Sequence, residues 1–265
     1  MNKRKTLALA LTLCMVAILA IGGSLAYFTD TDEETNTFTV GGVAIDLIEQ
    51  QVNKDGTALE EFKQNQVLMP IVGSAQGEKD QFGQPVAANY IDKIVTIKNT
   101  GKSDAYVRAY FAIPSALDDG NDTFNAGLNV LHFNFGNKDG VTTYGVQWTW
   151  KHDNKWNYYE TTIDGVAYNV YYADYYQKLP AGATTEQFIS GVYLDKSFDK
   201  KDDGYYAFGE KIELPGLIVN GELTVKCPVK AVAVQAAGFE NADAAVTSAF
   251  GPKFNPFGGA VTNWQ

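Results

Sequence analysis

The sequence is short of the residues on which most catalytic, metal-binding and cross-linking chemistry depends. Its 265 residues include 2 cysteines, 2 histidines and 8 prolines. Cys14 and Cys227 lie far apart, and Cys14 falls in an apolar N-terminal stretch, so neither a disulfide framework nor a cysteine metal site can be built from them. His132 and His152 are the whole imidazole supply. No His-Glu-x-x-His and no Gly-x-Ser-x-Gly occurs, which removes the local signatures of zinc peptidases and serine hydrolases. His132 reads as the polar face of a strand and His152 as part of the loop Lys151-His152-Asp153-Asn154, two unrelated surface histidines. Catalysis is not expected, and neither a catalytic residue nor a cofactor-binding residue is singled out.

Basic charge is scarce too. There are 21 Lys and Arg against 31 Asp and Glu, a net charge of -10. The only charges in residues 1–26 are Lys3, Arg4 and Lys5, so the remaining 239 residues carry 18 basic against 31 acidic groups, a net -13, with Arg108 as the only arginine. Nucleic-acid binding rests on clustered Lys and Arg that neutralise phosphates, and this balance excludes it. Long apolar runs are confined to the start of the chain, which excludes a polytopic helical membrane protein.

That first stretch has the order of an export signal. A basic start precedes the apolar run from Leu7 to Ile21, and Gly22-Gly23-Ser24-Leu25-Ala26 follows with small residues at 24 and 26. Cleavage is expected between Ala26 and Tyr27, which makes residues 1–26 a signal peptide and the mature protein secreted. The competing reading is a retained anchor, because Leu7 to Phe28 nearly supplies the roughly 20 residues of a spanning helix. In an exported chain a lone thiol is safest inside, and Val225-Lys226-Cys227-Pro228-Val229 places Cys227 on an apolar face.

The rest is dominated by period-two segments separated by Gly, Asn and Asp, the pattern of an antiparallel β domain. Strands are expected from Phe38 and Val40 into Val43, Ile45 and Leu47. Others are expected over Tyr90 to Lys98, Tyr106 to Ile113, Leu131 to Phe135 and Val146 to Trp150, each half-buried. Asp164-Gly165, between β-rich runs from Tyr158 to Ala173, predicts a type I′ hairpin because both central residues need positive φ. Phe188 to Leu194, Glu210 to Leu214 and Glu222 to Val234 complete the strands. Asn241 to Phe250 is the one convincing helix, with an Asn or Asp cap and Gly251-Pro252 to end it. Residues 50–89 read as loops with a short helix around Leu59 to Lys63. Eight or more strands with one or a few short helices predict an all-β fold, a jelly-roll-type antiparallel β-sandwich over residues 41–265, preceded by an N-terminal strand or arm over 27–40.

Gly22-Gly23-Ser24-Leu25-Ala26-Tyr27-Phe28-Thr29-Asp30, then Asn36-Thr37-Phe38-Thr39-Val40-Gly41 and Ile45-Asp46-Leu47, resembles the export signal and mature start of the TasA/camelysin family of Gram-positive bacteria. Lys98-Asn99-Thr100-Gly101 to Arg108 and Ala233 to Phe239 are also similar to that group, whereas residues 50–90 and 115–220 match it weakly. The resemblance implies processing by a SipW-type signal peptidase, a jelly-roll fold and secreted fibres of a biofilm matrix or cell surface. The expected partners are further copies of the chain, as a homopolymer, or related matrix subunits. Camelysin relatives are often called metallopeptidases, so a camelysin-type extracellular metallopeptidase is the alternative from another class.

Three residue sets stand as candidate sites. Tyr27, Phe28 and Thr29 are aromatic and β-prone, and the charged run Asp30 to Glu34 after them reads as a solvated hinge, the order a donated strand requires. The tract Trp148 to Tyr176 holds ten aromatics, and Trp148, Trp150, Trp156 and Tyr158 are the candidate interaction aromatics, which would also suit a monomeric carbohydrate-binding or adhesive module. The acidic clusters Asp30, Asp32, Glu33, Glu34; Asp118, Asp119, Asn121, Asp122; and Asp199, Asp202, Asp203 offer oxygen ligands to calcium, but none fits an EF-hand loop. Solvated loops are the expectation there, and no metal residue is named. Arg108, between Tyr106 and Tyr110, is expected to have a structural role against an aromatic face or a carboxylate.

Overall fold

The computed structural model describes residues 29–32, 42–72, 89–120, 129–135, 147–152 and 155–265. The cleavage pair Ala26 and Tyr27, Phe28, the expected strand start at Phe38 to Val40, Val146, and Asn121 and Asp122 lie outside them. The described strands in chain order are β1 (Thr29–Asp32), β2 (Ile45–Val52), β3 (Leu59–Glu61), β4 (Ile91–Asp92), β5 (Ile94–Asn99), β6 (Ala105–Pro114), β7 (Leu131–Phe135), β8 (Trp148–Thr149), β9 (Lys151–His152) and β10 (Lys155–Trp156). They continue as β11 (Tyr158–Ile163), β12 (Val166–Tyr175), β13 (Ile189–Leu194), β14 (Asp199–Lys201), β15 (Gly204–Ala207), β16 (Glu210–Ile212), β17 (Ile218–Val219), β18 (Glu222–Leu223) and β19 (Val229–Gln235), followed by the helix α1 (Ala242–Phe250).

These strands form the all-β, jelly-roll-type antiparallel sandwich expected. The main sheet has the order β1-β19-β6-β12-β11, with β8 also paired to β12. Opposite it lie β3-β2-β5 and β4-β13-β7. The segment leading into β13 joins these two by bonding along β5, through Thr185 N to Ile97 O at 2.8 Å and Phe188 N to Val95 O at 2.7 Å. Val43, Ile45, Val95, Ile97, Ile189 and Leu194 from this side meet Val107, Phe111, Ala173, Ala231 and Ala233 of the main sheet in one apolar core. Face-to-face packing of two sheets buries alternate residues of each strand, which is why period two in the sequence finds them.

The Asp164-Gly165 turn joins β11 and β12 with φ of 51° and 82°, both left-handed as a type I′ hairpin demands. The helix begins at the cap Asn241, whose side chain accepts from Ala244 N, and ends at Gly251 with φ 96°. Two expectations fail. Leu59 to Lys63 is not helical: β3 pairs with β2 through a turn in which Asn53 Oδ1 accepts from Thr57 N at 2.8 Å. Five residues give a helix too few internal bonds to offset its nucleation, whereas the turn chemistry of Asn53 to Gly56 closes a hairpin. The run Glu222 to Val234 is broken rather than continuous, into β18 and β19, with Pro228 before β19 offering no N–H to a ladder.

The main sheet is covered on both faces. All ten residues of β6 are buried. Its outer face carries Tyr106, Tyr110 and Ala112, which with Tyr159, Tyr168, Val170, Tyr172, Val232 and Val234 form a second apolar cluster under Ala242, Ala245 and Val246 of α1. Phe254, Phe257 and Trp264 extend that cover beyond the helix.

Candidate functional site

The two long edges of the main sheet differ in what guards them. At one edge β1 lies antiparallel on β19, with Thr29, Asp30, Thr31 and Asp32 opposite Val234, Ala233, Val232 and Ala231. The arm residue Thr29 is thus placed in its own domain's sheet, and Asp30 to Asp32, expected to be a solvated hinge, are ladder residues instead. The backbone reason is the exposed edge of β19, whose N–H and C=O groups any extended segment can satisfy. Tyr27 and Phe28, the other two donor candidates, precede the described residues.

At the opposite edge β11 is bridged by Thr262, with Glu160 N to Thr262 O at 2.9 Å and Thr262 N to Glu160 O at 3.0 Å. In the second sheet, the edge strand β3 is three residues long and carries Glu60 and Glu61. Short length and charge are ordinary guards against edge pairing.

The interaction aromatics are a correction. Trp148, Trp150, Trp156 and Tyr158 are buried, as are nine of the ten aromatics of the tract; only Tyr176 is exposed. Trp150 stacks on Phe188 with ring centroids 4.5 Å apart and meets Trp156 edge-on at 6.4 Å. Trp156 in turn meets Tyr171 edge-on at 6.2 Å. Trp148 donates Nε1–H to Glu186 O at 3.3 Å. Alternation holds, but the large apolar area of indole rings draws their face inward. The other face, where Tyr159 and Tyr172 stand, is covered by α1 and the segment after it.

Arg108 is the centre of that outer face. Its Nε and Nη2 donate to Asp174 Oδ1 and Oδ2 at 2.6 and 2.8 Å, Nη2 also donates to Asp243 Oδ1 at 2.7 Å, and its guanidinium carbon lies 4.9 Å from the Tyr172 ring centroid. The residue therefore uses both a carboxylate and an aromatic face. Burial disfavours its charge, yet the bonds and charge of Asp174 outweigh that and hold its pKa above the ordinary arginine range. Asp243 sits in the first turn of α1, so this network ties the helix to β6 and β12.

Asp118 is not the solvated loop residue expected. It is buried beside the turn Ser115–Leu117, and its Oδ2 accepts from Asn169 Nδ2 at 2.8 Å and Tyr171 OH at 2.7 Å. Burial pushes its carboxyl pKa up despite these donors. Asp118, Asp119 and Glu210 line a cleft of about 230 Å³ whose walls include Val130, Phe208 and Ile212. Asp199, Asp202 and Asp203 are exposed on the β14–β15 hairpin. Among the described residues no group of three His, Cys, Asp or Glu is placed to hold a metal ion.

His132 is half-buried rather than on the surface: its ring stacks on Tyr193 at 4.9 Å, Nε2 lies 3.5 Å from Asp195 Oδ2, and burial lowers its pKa. His152 is exposed on the β9–β10 hairpin, in a different sheet. Cys227 is half-buried against the apolar core, and desolvation pushes its thiol pKa up to about 12. Among the described residues no helix is long and apolar enough to cross a membrane. No family model matches the chain, and no curated protein and no solved structure matches it.

Proposed function

We propose that the chain is a secreted structural protein of the cell surface or biofilm matrix, a member of the TasA/camelysin group that assembles with itself into fibres by donating its N-terminal strand. The observation that carries the reading is β1: four residues at an open sheet edge, paired to a seven-residue β19. A strand so placed can be exchanged for the same strand of a second copy with no net loss of ladder bonds, and head-to-tail exchange repeats without closing. The export-type order of residues 1–26, processed between Ala26 and Tyr27 by a SipW-type signal peptidase, supports a location outside the cell. The burial of Trp148, Trp150, Trp156 and Tyr158 removes the support for a monomeric sugar-binding module. A peptidase reading gains nothing from His132 and His152, which stand on separate sheets.

The test is electron microscopy of the mature chain beside one lacking residues 27–34. Fibres from the first and a folded, fibre-free monomer from the second are the expected result. Fibres of the same morphology from both, or a monomer at every concentration from the intact chain, overturn the proposal.

A further inference from the structure

The segment 254–265 reaches the β11 edge across the outer face, where Phe254, Phe257, Val261 and Trp264 pack partly buried on the second apolar cluster. None of its residues is fully buried, in contrast to Ala242, Ala245 and Val246 of α1. Its seat is nevertheless specific. Asn255 accepts from Tyr159 OH at 2.8 Å and donates Nδ2–H to Thr161 Oγ1 at 3.0 Å and to Gly258 O. Thr161 Oγ1 donates to the carbonyls of Gly258 and Ala260 at 3.2 and 3.0 Å. Lys230 Nζ donates to Pro256 O at 3.0 Å, with the Phe257 ring centroid 5.2 Å away. Thr262 forms the bridge to Glu160, and Gln265 N donates to Tyr158 O at 2.9 Å. Trp264 lies flat on Tyr159 with centroids 4.8 Å apart. Gly259, at φ 79°, passes so close to β11 that an added Cβ would stand 2.8 Å from Thr162 O.

Backbone bonds to an edge strand, side-chain hydrogen bonds that hold a turn, and a glycine where the two backbones crowd make a seat that selects one particular sequence. We propose that the β11 edge, with Tyr159, Thr161, Thr162 and Lys230, is a binding groove for a peptide that folds a turn and a glycine pair between aromatic residues, and that its exchange partner is the 254–265 segment of a second copy. The intramolecular strap holds the groove at high effective concentration, so a free peptide must compete with it. Gly251-Pro252-Lys253 is the stretch that would open, since it joins α1 to the strap and Pro252 and Lys253 are exposed. This site is on the opposite edge from β1 and stands whether or not the chain makes fibres.

The experiment uses the full chain and a labelled synthetic peptide of residues 254–265, read by fluorescence anisotropy. Gly259→Val unseats the strap by steric conflict with Thr162 O and leaves the groove free. The expected result is saturable peptide binding to the variant, at least ten-fold weaker binding to the wild-type chain, and none by a peptide carrying the same Gly259→Val change. Size-exclusion chromatography of the concentrated wild-type chain is expected to show a dimer that the Gly259→Val chain does not form. A peptide that binds neither chain, or both equally, overturns the groove; a wild-type chain that remains monomeric overturns the exchange. Thr262→Pro, which removes one bridge donor, guards against misfolding. If circular dichroism shows both variants unfolded, the strap belongs to the core and the proposal is wrong.

Discussion

The inner and outer faces of the main sheet are built from the same strands but by different chemistry. On β6 the inner residues are Ala105, Val107, Ala109, Phe111 and Ile113, and the outer ones are Tyr106, Arg108, Tyr110 and Ala112. The inner face meets another sheet, a rigid surface presenting its own alternate side chains, and aliphatic and indole groups fill the space between the two. The outer face meets one helix and a strap. Tyr106 OH donates to Glu240 O at 2.8 Å and Tyr159 OH to Asn255 Oδ1 at 2.8 Å, so these two tyrosines supply apolar rings to the sheet and hydroxyls to the irregular segments above it. A cover made of turns leaves carbonyls to be satisfied, and the hydroxyls of Tyr106 and Thr161 and the ammonium of Lys230 do so.

The inner face should be the more sensitive to lost volume. Trp150→Ala removes an indole stacked on Phe188 and leaves a cavity that a sheet-on-sheet core cannot close. A loss of about 4 kcal/mol in urea unfolding is expected. A loss below about 1 kcal/mol, comparable to an exposed substitution, would mean that the aromatic end of the sandwich is not part of the cooperative core.

The outer face should be the more sensitive to lost charge. Asp174→Ala strands the buried Arg108 with only the largely exposed Asp243, and a loss of about 3 kcal/mol is expected. The double change Arg108→Met with Asp174→Leu should recover most of it, because the desolvation of both ions is removed together. If the double variant is no better than the single one, the network does more than satisfy itself, and its link to α1 through Asp243 becomes the reason.

The inner face has one buried carboxylate of its own, and it differs from Asp174 in having neutral donors. Asp118 is pushed above the ordinary carboxylate pKa of about 4, so it binds its proton more tightly folded than unfolded. Its contribution to stability is full below that ordinary value and is lost as pH rises through its folded value. Asp118→Asn keeps an oxygen for Tyr171 and cannot ionise. Urea midpoints at pH 4 and pH 8 should therefore show the variant gaining on the wild type as pH rises. An equal gap at both pH values would show that the Asn169 and Tyr171 donors fully offset the burial.

The sequence pattern reveals the inner face and hides the outer one, for a physical reason. Period two identifies Val107, Ala109, Phe111 and Ile113 as one face whatever covers it. The opposite face, Tyr106-x-Arg108-x-Tyr110, reads as solvent-facing because tyrosine and arginine are ordinary on surfaces, and its cover comes from residues more than 120 positions later. The clue lay in the tyrosine excess together with a single arginine, a pattern costly to expose and informative only once α1 is placed over it. The same blindness sent Trp148, Trp150, Trp156 and Tyr158 to the surface, since alternation gives a face but not its direction. The Asp164-Gly165 turn and the Asn241 to Gly251 helix were legible because their signals are local. Nothing local marks the strap, apart from Gly258-Gly259 between aromatic residues.

The smallest effect tests whether the outer cover is a separable layer. Asn241 caps α1, with Oδ1 accepting from Ala244 N at 2.9 Å, and Asn241→Ala leaves that amide unpaired at a cost of about 1 kcal/mol. Asn241→Gly should cost only a few tenths of a kcal/mol, because glycine leaves the amide open to water. The helix is nine residues long, too short to persist by itself, and it holds its place through Ala242, Ala245, Val246 and the Asp243 bond to Arg108. A weakened cap should therefore open α1 and the strap before the sheet. Hydrogen exchange is expected to show faster exchange at Ala244 to Gly251 and at Thr262 and Gln265, with the β6–β12 and β6–β19 ladders unchanged. Uniformly faster exchange in the ladders as well would mean that the two faces of the main sheet unfold as one unit.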